Sequence, residues 1–318
     1  MKSLVTGGAG FIGSHLVERL LQQSDEVIVY DNFSTGQRKF LEAAVARENL
    51  RLIEADLLDE ERLDEAMREV DFVWHLAANA DVRFGTDRPR RDLEQNTVAT
   101  SNVLEAMRRN GVKKICFSST GSLYGEAPVI PTTEDCPFPL QTSFYGASKL
   151  AGESLISAYC EGFGMQGWVF RFVSILGERY THGHVFDFYK QLLADPKKLH
   201  ILGDGQQRKS YLYIDDCLDA MFTAVSKAVD KVNVLNLGTD EYVEVNDSVK
   251  VITQHLGLDP RRTYEGGDRG WIGDNPFIFL DCSRMRSLGW SPTYSIREGI
   301  LKTLNWLEQN RWVLESRE

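Results

Sequence analysis

Thr6-Gly7-Gly8-Ala9-Gly10-Phe11-Ile12-Gly13 decides how the rest of this chain is read. The apolar stretch Ser3-Leu4-Val5 before it has the character of a buried strand, and Ser14-His15-Leu16-Val17-Glu18-Arg19-Leu20-Leu21 after it has helical spacing. A strand, a glycine-rich turn and a helix together form an anion cradle. The glycines allow a tight turn and close backbone approach, while the helix N-terminus offers N–H groups and a positive dipole end to a pyrophosphate. The glycines follow G-x-x-G-x-x-G, at Gly7, Gly10 and Gly13, rather than the commoner G-x-G-x-x-G dinucleotide fingerprint.

The next strand pattern, 26–30, ends in Asp31, 18 residues beyond Gly13. That is close to the spacing of about 20 at which a carboxylate meets the adenosine ribose of a dinucleotide. A carboxylate accepts from a 2′-hydroxyl and repels a 2′-phosphate, so the expected cofactor is NAD rather than NADP.

Farther out, strand and helix patterns alternate. A helix is expected over 37–46, a strand over 50–55 ending near Asp56, and a helix over 60–68. A buried strand over 71–76 opens into Ala77-Ala78-Asn79-Ala80. A long helix over 93–109, a strand over 114–119, a helix over 144–161 and a strand over 166–172 follow. This rhythm predicts an α/β protein with a doubly wound parallel (Rossmann) sheet. Ligands of such sheets bind beyond the carboxyl ends of the strands, so Asp31, Asp56, Ala77 and Thr120 should line one crevice. From about Leu176 the rhythm breaks into loops rich in Gly and Asp. The expected organisation is an NAD-binding domain over 1–175 and a smaller C-terminal substrate lobe over 176–318. Within the latter, 211–237 is a candidate to return to the main sheet.

Composition narrows the class. The chain has 318 residues, 42% hydrophobic and 26% charged, with a net charge of −10. Its most basic run is Arg88-Pro89-Arg90-Arg91, which argues against nucleic acid or an anionic membrane as partner. Five widely spaced cysteines without a C-x-x-C suggest neither a disulfide framework nor a zinc site. No apolar run approaches the length of a membrane span, and the chain opens directly into a strand. A reducing, cytoplasmic setting is expected.

The chemistry centres on Tyr145-Gly146-Ala147-Ser148-Lys149. At i and i+4, Tyr145 and Lys149 share one face of a helix. A phenol titrates near pH 10, and a neighbouring ammonium favours the phenolate. The positive nicotinamide of NAD⁺ would act in the same sense, and the lysine can also hold the cofactor ribose. The pair is a candidate acid/base unit for removing a hydroxyl proton while hydride leaves the carbon.

Taken with Ser118-Ser119-Thr120-Gly121-Ser122-Leu123-Tyr124-Gly125 about 20 residues upstream, the chain resembles the extended short-chain dehydrogenase/reductase family, and within it the nucleotide-sugar epimerase branch. The resemblance runs through nearly the whole length and includes His75-Leu76-Ala77-Ala78, Gly205-Gln206-Gln207-Arg208 and Tyr213-Ile214-Asp215-Asp216. It implies a homodimer joined through helices 93–109 and 144–161, with Leu93, Val98, Leu104, Leu150 and Ile156 as candidate interface residues. It implies NAD contacts at Gly7, Gly10, Phe11, Ile12, Gly13, Asp31, Asn32, Ser34, Thr35, Gly36, Asp56, Leu57, Leu76, Ala77, Ala78 and Asn96, with Tyr145 and Lys149. Thr120 is implied to bind the sugar O4 and relay its proton, Tyr145 to act as base and Lys149 as its partner. Ser174 falls at a substrate-contacting position, and Arg208 and Arg269 are implied to grip a diphosphate, for which paired guanidiniums suit the charge.

Departures from the family pattern sharpen the reading. Gly121 and Ser122 stand where related dehydratases carry Asp-Glu and decarboxylating relatives keep an acid, so elimination and decarboxylation lose support. Ala80 replaces a lysine and Ser174 an asparagine, which leaves the identity of the sugar open. The expected activity is NAD-dependent 4-epimerisation of a nucleotide sugar of the UDP-glucose/UDP-galactose type. Two alternatives stand beside it: a 4-dehydrogenase releasing a 4-keto sugar, and a non-catalytic NAD-responsive binding protein. His182 and His184 lack a third ligand for a metal. Trp271, Trp290, Trp306, Cys116 and Cys160 read as packing residues.

Overall fold

The computed structural model describes residues 1–23, 25–79, 85–138, 140–270 and 274–316. Chain contacts divide it into two compact units. The first comprises Met1–Leu123, Gln141–Arg171 and Ala224–Leu235; the second comprises Tyr124–Leu140, Phe172–Thr223 and Asn236–Glu318. Against the boundary expected near 175/176, residues 124–140 group with the later part, while 224–235, within the stretch expected to return, group with the earlier part.

The first unit is built on β1 (Lys2–Thr6), α1 (Phe11–Gln22), β2 (Glu26–Asp31), β3 (Leu50–Glu54), α2 (Glu60–Ala66), β4 (Phe72–His75), the short α3 (Pro89–Asp92), α4 (Ala99–Asn110), β5 (Lys114–Thr120), α5 (Phe144–Phe163) and β6 (Gln166–Phe172). Together with the later β11 (Val232–Leu237), these strands form one seven-stranded sheet ordered β3-β2-β1-β4-β5-β6-β11. The pairs β1–β2, β2–β3, β1–β4 and β4–β5 are parallel. The strand order reverses between β1 and β4, and a doubly wound sheet binds its ligand at that switch point. Leu4, Ile28, Val73, Ile115 and Phe117 bury in one cluster with helix residues such as Leu104 and Ile156, and the alternate strand residues Val5, Val29, Trp74 and Cys116 are buried too, so strands reading as continuous apolar runs are covered on both faces.

Two elements differ from the sequence reading. The stretch 37–46 is no α-helix: a short 3-10 turn, Arg38–Leu41, gives way to further turns. Phe40 N bonds Gln37 O, Ala44 N bonds Leu41 O and Arg47 N bonds Ala44 O, while Gln37 N is committed to Ala9 O. Apart from Val45 N to Leu41 O, these closures span three residues rather than the four of an α-helix. The helix expected over 93–109 opens instead with a π-helical segment, Leu93–Val98, and becomes α-helical at Ala99.

In the second unit, β7 (Ser174–Leu176) pairs in parallel with β10 (Tyr211–Tyr213), so the 211–213 strand forms a two-stranded sheet rather than joining the main one. Between them lie α6 (His184–Ala194), β8 (Lys198–Ile201) and β9 (Arg208–Lys209). The chain continues through α7 (Ile214–Lys227), β12 (Val243–Glu244), α8 (Val245–Leu256), β13 (Arg261–Tyr264), β14 (Phe277–Ile278), α9 (Ser283–Ser287) and α10 (Ile296–Gln309). β9 is the centre of the three-stranded sheet β12-β9-β14, and β8 pairs with β13. A reciprocal capping box of Ser295 and Glu298 starts α10.

Candidate active site

The glycine turn closes against the loop after β4. Gly7 has φ +69°, and a Cβ there would sit 2.7 Å from Ala77 N; a Cβ on Gly13 would sit 2.1 Å from Gly7 O. Gly10 caps α1 without a side-chain hydrogen bond, and the first turn holds no acid. That cradle fits a pyrophosphate. Asp31 ends β2 with its carboxylate held by Ala9 N at 2.9 Å and Phe33 N at 2.8 Å. Burial pushes its acid range up, and those two amides pull it back. A Cβ on Gly36 would meet Asp31 Oδ1 at 2.8 Å, so the 33–36 loop can wrap the carboxylate because this position is glycine. Ser34 N bonds Asn32 Oδ1, and Thr35 O accepts from Gln37 Nε2. Asn32 Nδ2 donates to Asp56 at 2.8 Å, while Leu57 is buried and its carbonyl accepts from Asn102. Phe11, Ile12, Leu76, Ala77 and Ala78 are all partly exposed. Apart from Asn96, Tyr145 and Lys149, the residues predicted for NAD therefore gather around the carboxyl ends of β1, β2, β3 and β4.

A hydrogen-bonded path leads from this loop to α5. Asn79 N donates to Asn96 Oδ1 at 2.8 Å, Asn96 Nδ2 donates to Ser148 Oγ at 2.8 Å, and Ser148 Oγ donates to Tyr145 O at 2.8 Å. Ser143 caps α5 by accepting from Gly146 N, which sets where the helix starts and hence which face carries Tyr145 and Lys149. Lys149, 1% exposed, donates from Nζ to Ser118 O at 2.7 Å and lies 4.6 Å from the Phe117 ring centroid. Burial lowers its pKa to about 7, against the raising influence of Glu153 and Asp92. Thr120 Oγ1 accepts from Ser122 N at 3.1 Å. The Tyr145 phenol is pushed up to about 12, by burial first and by Asp92 next, with a hydrogen bond from Thr120 pulling it down. Among these residues, burial and Asp92 outweigh the lowering of the phenol expected from a neighbouring ammonium.

Four neighbours escaped the sequence reading. Asp92, 1% exposed, accepts from Asn79 Nδ2 at 2.9 Å and from Asn96 Nδ2 at 3.4 Å. Asn79 and Ser148 form the links of the path itself. Glu153 forms a buried ion pair with Arg171 at 2.7 Å and accepts from Ser119 Oγ. Glu153 lies four residues after Lys149 and Asp92 four before Asn96, so helical spacing could have found both; Asn79 joins them through tertiary structure and left no local signal.

Of the predicted substrate residues, Thr120 lies in the first unit and Ser174, Arg208 and Arg269 lie in the second. Ser174 is exposed on β7. Arg208, on β9, holds its guanidinium 4.0 Å from the Phe277 ring centroid. Arg269 pairs with Glu126. Lys209 binds Asp274 at 2.7 Å, and Asp274 also accepts from Gly270 N at 3.0 Å. His184 packs on Tyr211 with ring centroids 4.5 Å apart, and burial lowers its pKa to about 3. Trp290 donates to Asp216 O, Trp306 is partly buried, and Cys116 and Cys160 are fully buried. Ala80 and Trp271 lie outside the described residues.

Known proteins resemble this chain over nearly its whole length. The sequence model of the NAD dependent epimerase/dehydratase family matches residues 3–238. A UDP-glucose 4-epimerase of Mycolicibacterium smegmatis is 32% identical over 314 residues, covering 96% of this chain and 98% of the relative. A crystal structure of a UDP-galactose 4-epimerase superposes with TM-score 0.88 at 37% identity, covering 98% of this chain and 100% of that one. A UDP-glucuronic acid 4-epimerase from Bacillus cereus, solved with UDP-glucuronic acid and NAD, superposes with TM-score 0.89 at 28% identity, covering 97% and 99%.

Proposed function

Because the chain belongs to the NAD-dependent epimerase/dehydratase family, we propose that it is a nucleotide-sugar 4-epimerase interconverting UDP-glucose and UDP-galactose. The observation that carries this reading is the continuous path from the glycine turn through Ala77, Asn79, Asn96 and Ser148 to the turn of α5 bearing Tyr145 and Lys149. It joins a dinucleotide cradle to an acid/base pair in one compact unit. NAD, when bound, supplies the acceptor for the hydride leaving C4 and the donor that returns it. Gly7, Gly10 and Gly13 with the start of α1 would hold its pyrophosphate, and Asp31 its adenosine ribose.

The chain's own groups handle the proton. Thr120 would hold the sugar O4 hydroxyl, passing its proton to Tyr145 and recovering it when the carbonyl is reduced. A phenol at about 12 is a reluctant base at neutral pH, so positive charge beside it is required for the forward transfer. Lys149 is buried within the same turn and would bind the cofactor ribose. Arg208 and Arg269 would bind the diphosphate. For Arg269 this means exchanging Glu126 for phosphate oxygens. Gly121 and Ser122 offer no carboxylate after Thr120, which supports epimerisation over elimination.

The experiment is to denature the purified protein and identify the nicotinamide cofactor released, then assay Tyr145→Phe. Released NAD(H), with the variant retaining cofactor but losing at least about a thousandfold in kcat, fits the reading. A variant of undiminished turnover refutes it.

A further inference from the structure

His75 and Thr100 meet the groups described above through Thr6, Asn96, Phe117 and Ser118, and they form a buried chain whose polarity can be worked out. Both residues are 0% exposed. Thr6 Oγ1 lies 2.7 Å from His75 Nδ1, His75 Nε2 lies 2.9 Å from Thr100 Oγ1, and Thr100 Oγ1 lies 2.5 Å from Asn96 O. A carbonyl oxygen cannot donate, so the single Thr100 proton sits on the bond to Asn96 O. His75 Nε2 must then donate to Thr100. A neutral imidazole carries one N–H, which leaves Nδ1 bare and makes Thr6 the donor there. Thr6 Oγ1 in turn accepts from Ala77 N at 3.2 Å. Every proton in the run from Ala77 to Asn96 has one direction. Burial keeps the ring neutral, lowering it to about 3, and Lys149 adds to the effect from α5. The other neighbours, Phe117 at 5.6 Å between centroids and the Ser118 hydroxyl on His75 O, carry no charge.

We propose that His75 and Thr100 are positioning residues for the 4-epimerase reaction, fixing the π-helical segment so that Asn96 ties the loop after β4 to the Tyr145–Lys149 turn. The carbonyl that Thr100 captures belongs to the residue whose side chain bridges Asn79 and Ser148. A hydroxyl bonding back four residues competes with regular helix and bends it, and here the affected residue is the one bridging cradle and catalytic turn. His75 holds that hydroxyl from behind and connects it through Thr6 to the amide of Ala77, which backs the glycine turn. The proposal rests on the epimerase reading for its kinetic consequence; the hydrogen-bond chain does not.

The test pairs kinetics with spectroscopy on the cofactor-bound enzyme. Thr100→Val keeps the branched shape but removes the hydroxyl; Thr100→Ser keeps the hydroxyl. Thr100→Val should lower kcat roughly tenfold, with KM and bound cofactor unchanged, and Thr100→Ser should recover most of that loss. ¹⁵N spectra of the wild type should show His75 as the Nε2–H tautomer, unchanged from about pH 5 to about pH 8. Wild-type kcat in Thr100→Val, or a serine variant as slow as the valine one, overturns the positioning role. A His75 that titrates in that range, or carries its proton on Nδ1, overturns the chain itself. If the wild type does not epimerise nucleotide sugars, the functional reading fails, and the spectra still decide the polarity of the chain.

Discussion

Asp92 is the residue whose charge both Lys149 and Tyr145 register, and in each case the carboxylate favours the protonated form. Asp92→Asn should therefore lower both pKa values, taking Lys149 below about 7 and uncharging it at neutral pH. The loss in kcat relative to wild type should be several-fold larger at about pH 8 than at about pH 6; parallel pH profiles contradict this. Lys149 carries a second consequence. Its folded value is about 7 against an ordinary 10.5, so between these the unfolded chain holds a proton that the folded chain has released, and this group makes stability rise with pH across that window. Denaturation midpoints of cofactor-free wild type minus those of Lys149→Met should climb from about pH 7 to about pH 9; a flat difference contradicts the shift. Tyr145 and Lys149 were legible because a helix puts i and i+4 on one face. The phenol's dependence on Asp92 was not, since 53 residues separate them in the chain and the fold alone brings their charges together.

At the scale of elements, the strand–turn–helix at the N-terminus is the part the sequence specified most completely. Its apolar run, its glycine spacing and the first turn of α1 all demand the same local geometry. Gly13→Ala tests that demand: a Cβ 2.1 Å from Gly7 O must push the turn open, so the variant should purify with little or no bound cofactor while keeping its secondary structure by circular dichroism. Besides apolar packing, α5 and β6 meet through the Glu153–Arg171 ion pair. Arg171→Leu leaves Glu153 buried without its partner and should cost about 3–5 kcal/mol in chemical denaturation; a loss below about 1 kcal/mol would mean that Ser119 alone sustains the carboxylate. Elements misread from sequence have separate physical causes. The 37–46 stretch has helical composition, but tertiary hydrogen bonds such as Gln37 N to Ala9 O commit it to tight turns. The π-helical start before α4 coincides with hydroxyl bonding by Thr100, which hydrophobic periodicity does not register.

For the whole molecule, composition bounded the partners and the alternating pattern bounded the fold, whereas association depends on which residues the fold leaves outside. Of the apolar residues considered for a dimer contact, Leu104 and Ile156 are buried in the core, while Leu93 and Val98 are 53% and 39% exposed. We propose that Leu93, Val98 and the partly exposed Leu150 face a second copy of the chain. Sedimentation should show a dimer in the wild type and a monomer in a Leu93→Asp, Val98→Asp double variant; equal masses contradict this. Among the described residues no helix is long and apolar enough to cross a membrane. The central claim, that this chain turns over a nucleotide sugar at C4, is tested most directly by incubating the purified protein with UDP-glucose while following sugar products and NADH absorbance together. The account predicts that UDP-galactose appears with no net NADH. Stoichiometric NADH with a 4-keto sugar, or unchanged UDP-glucose in the presence of bound NAD, would contradict it.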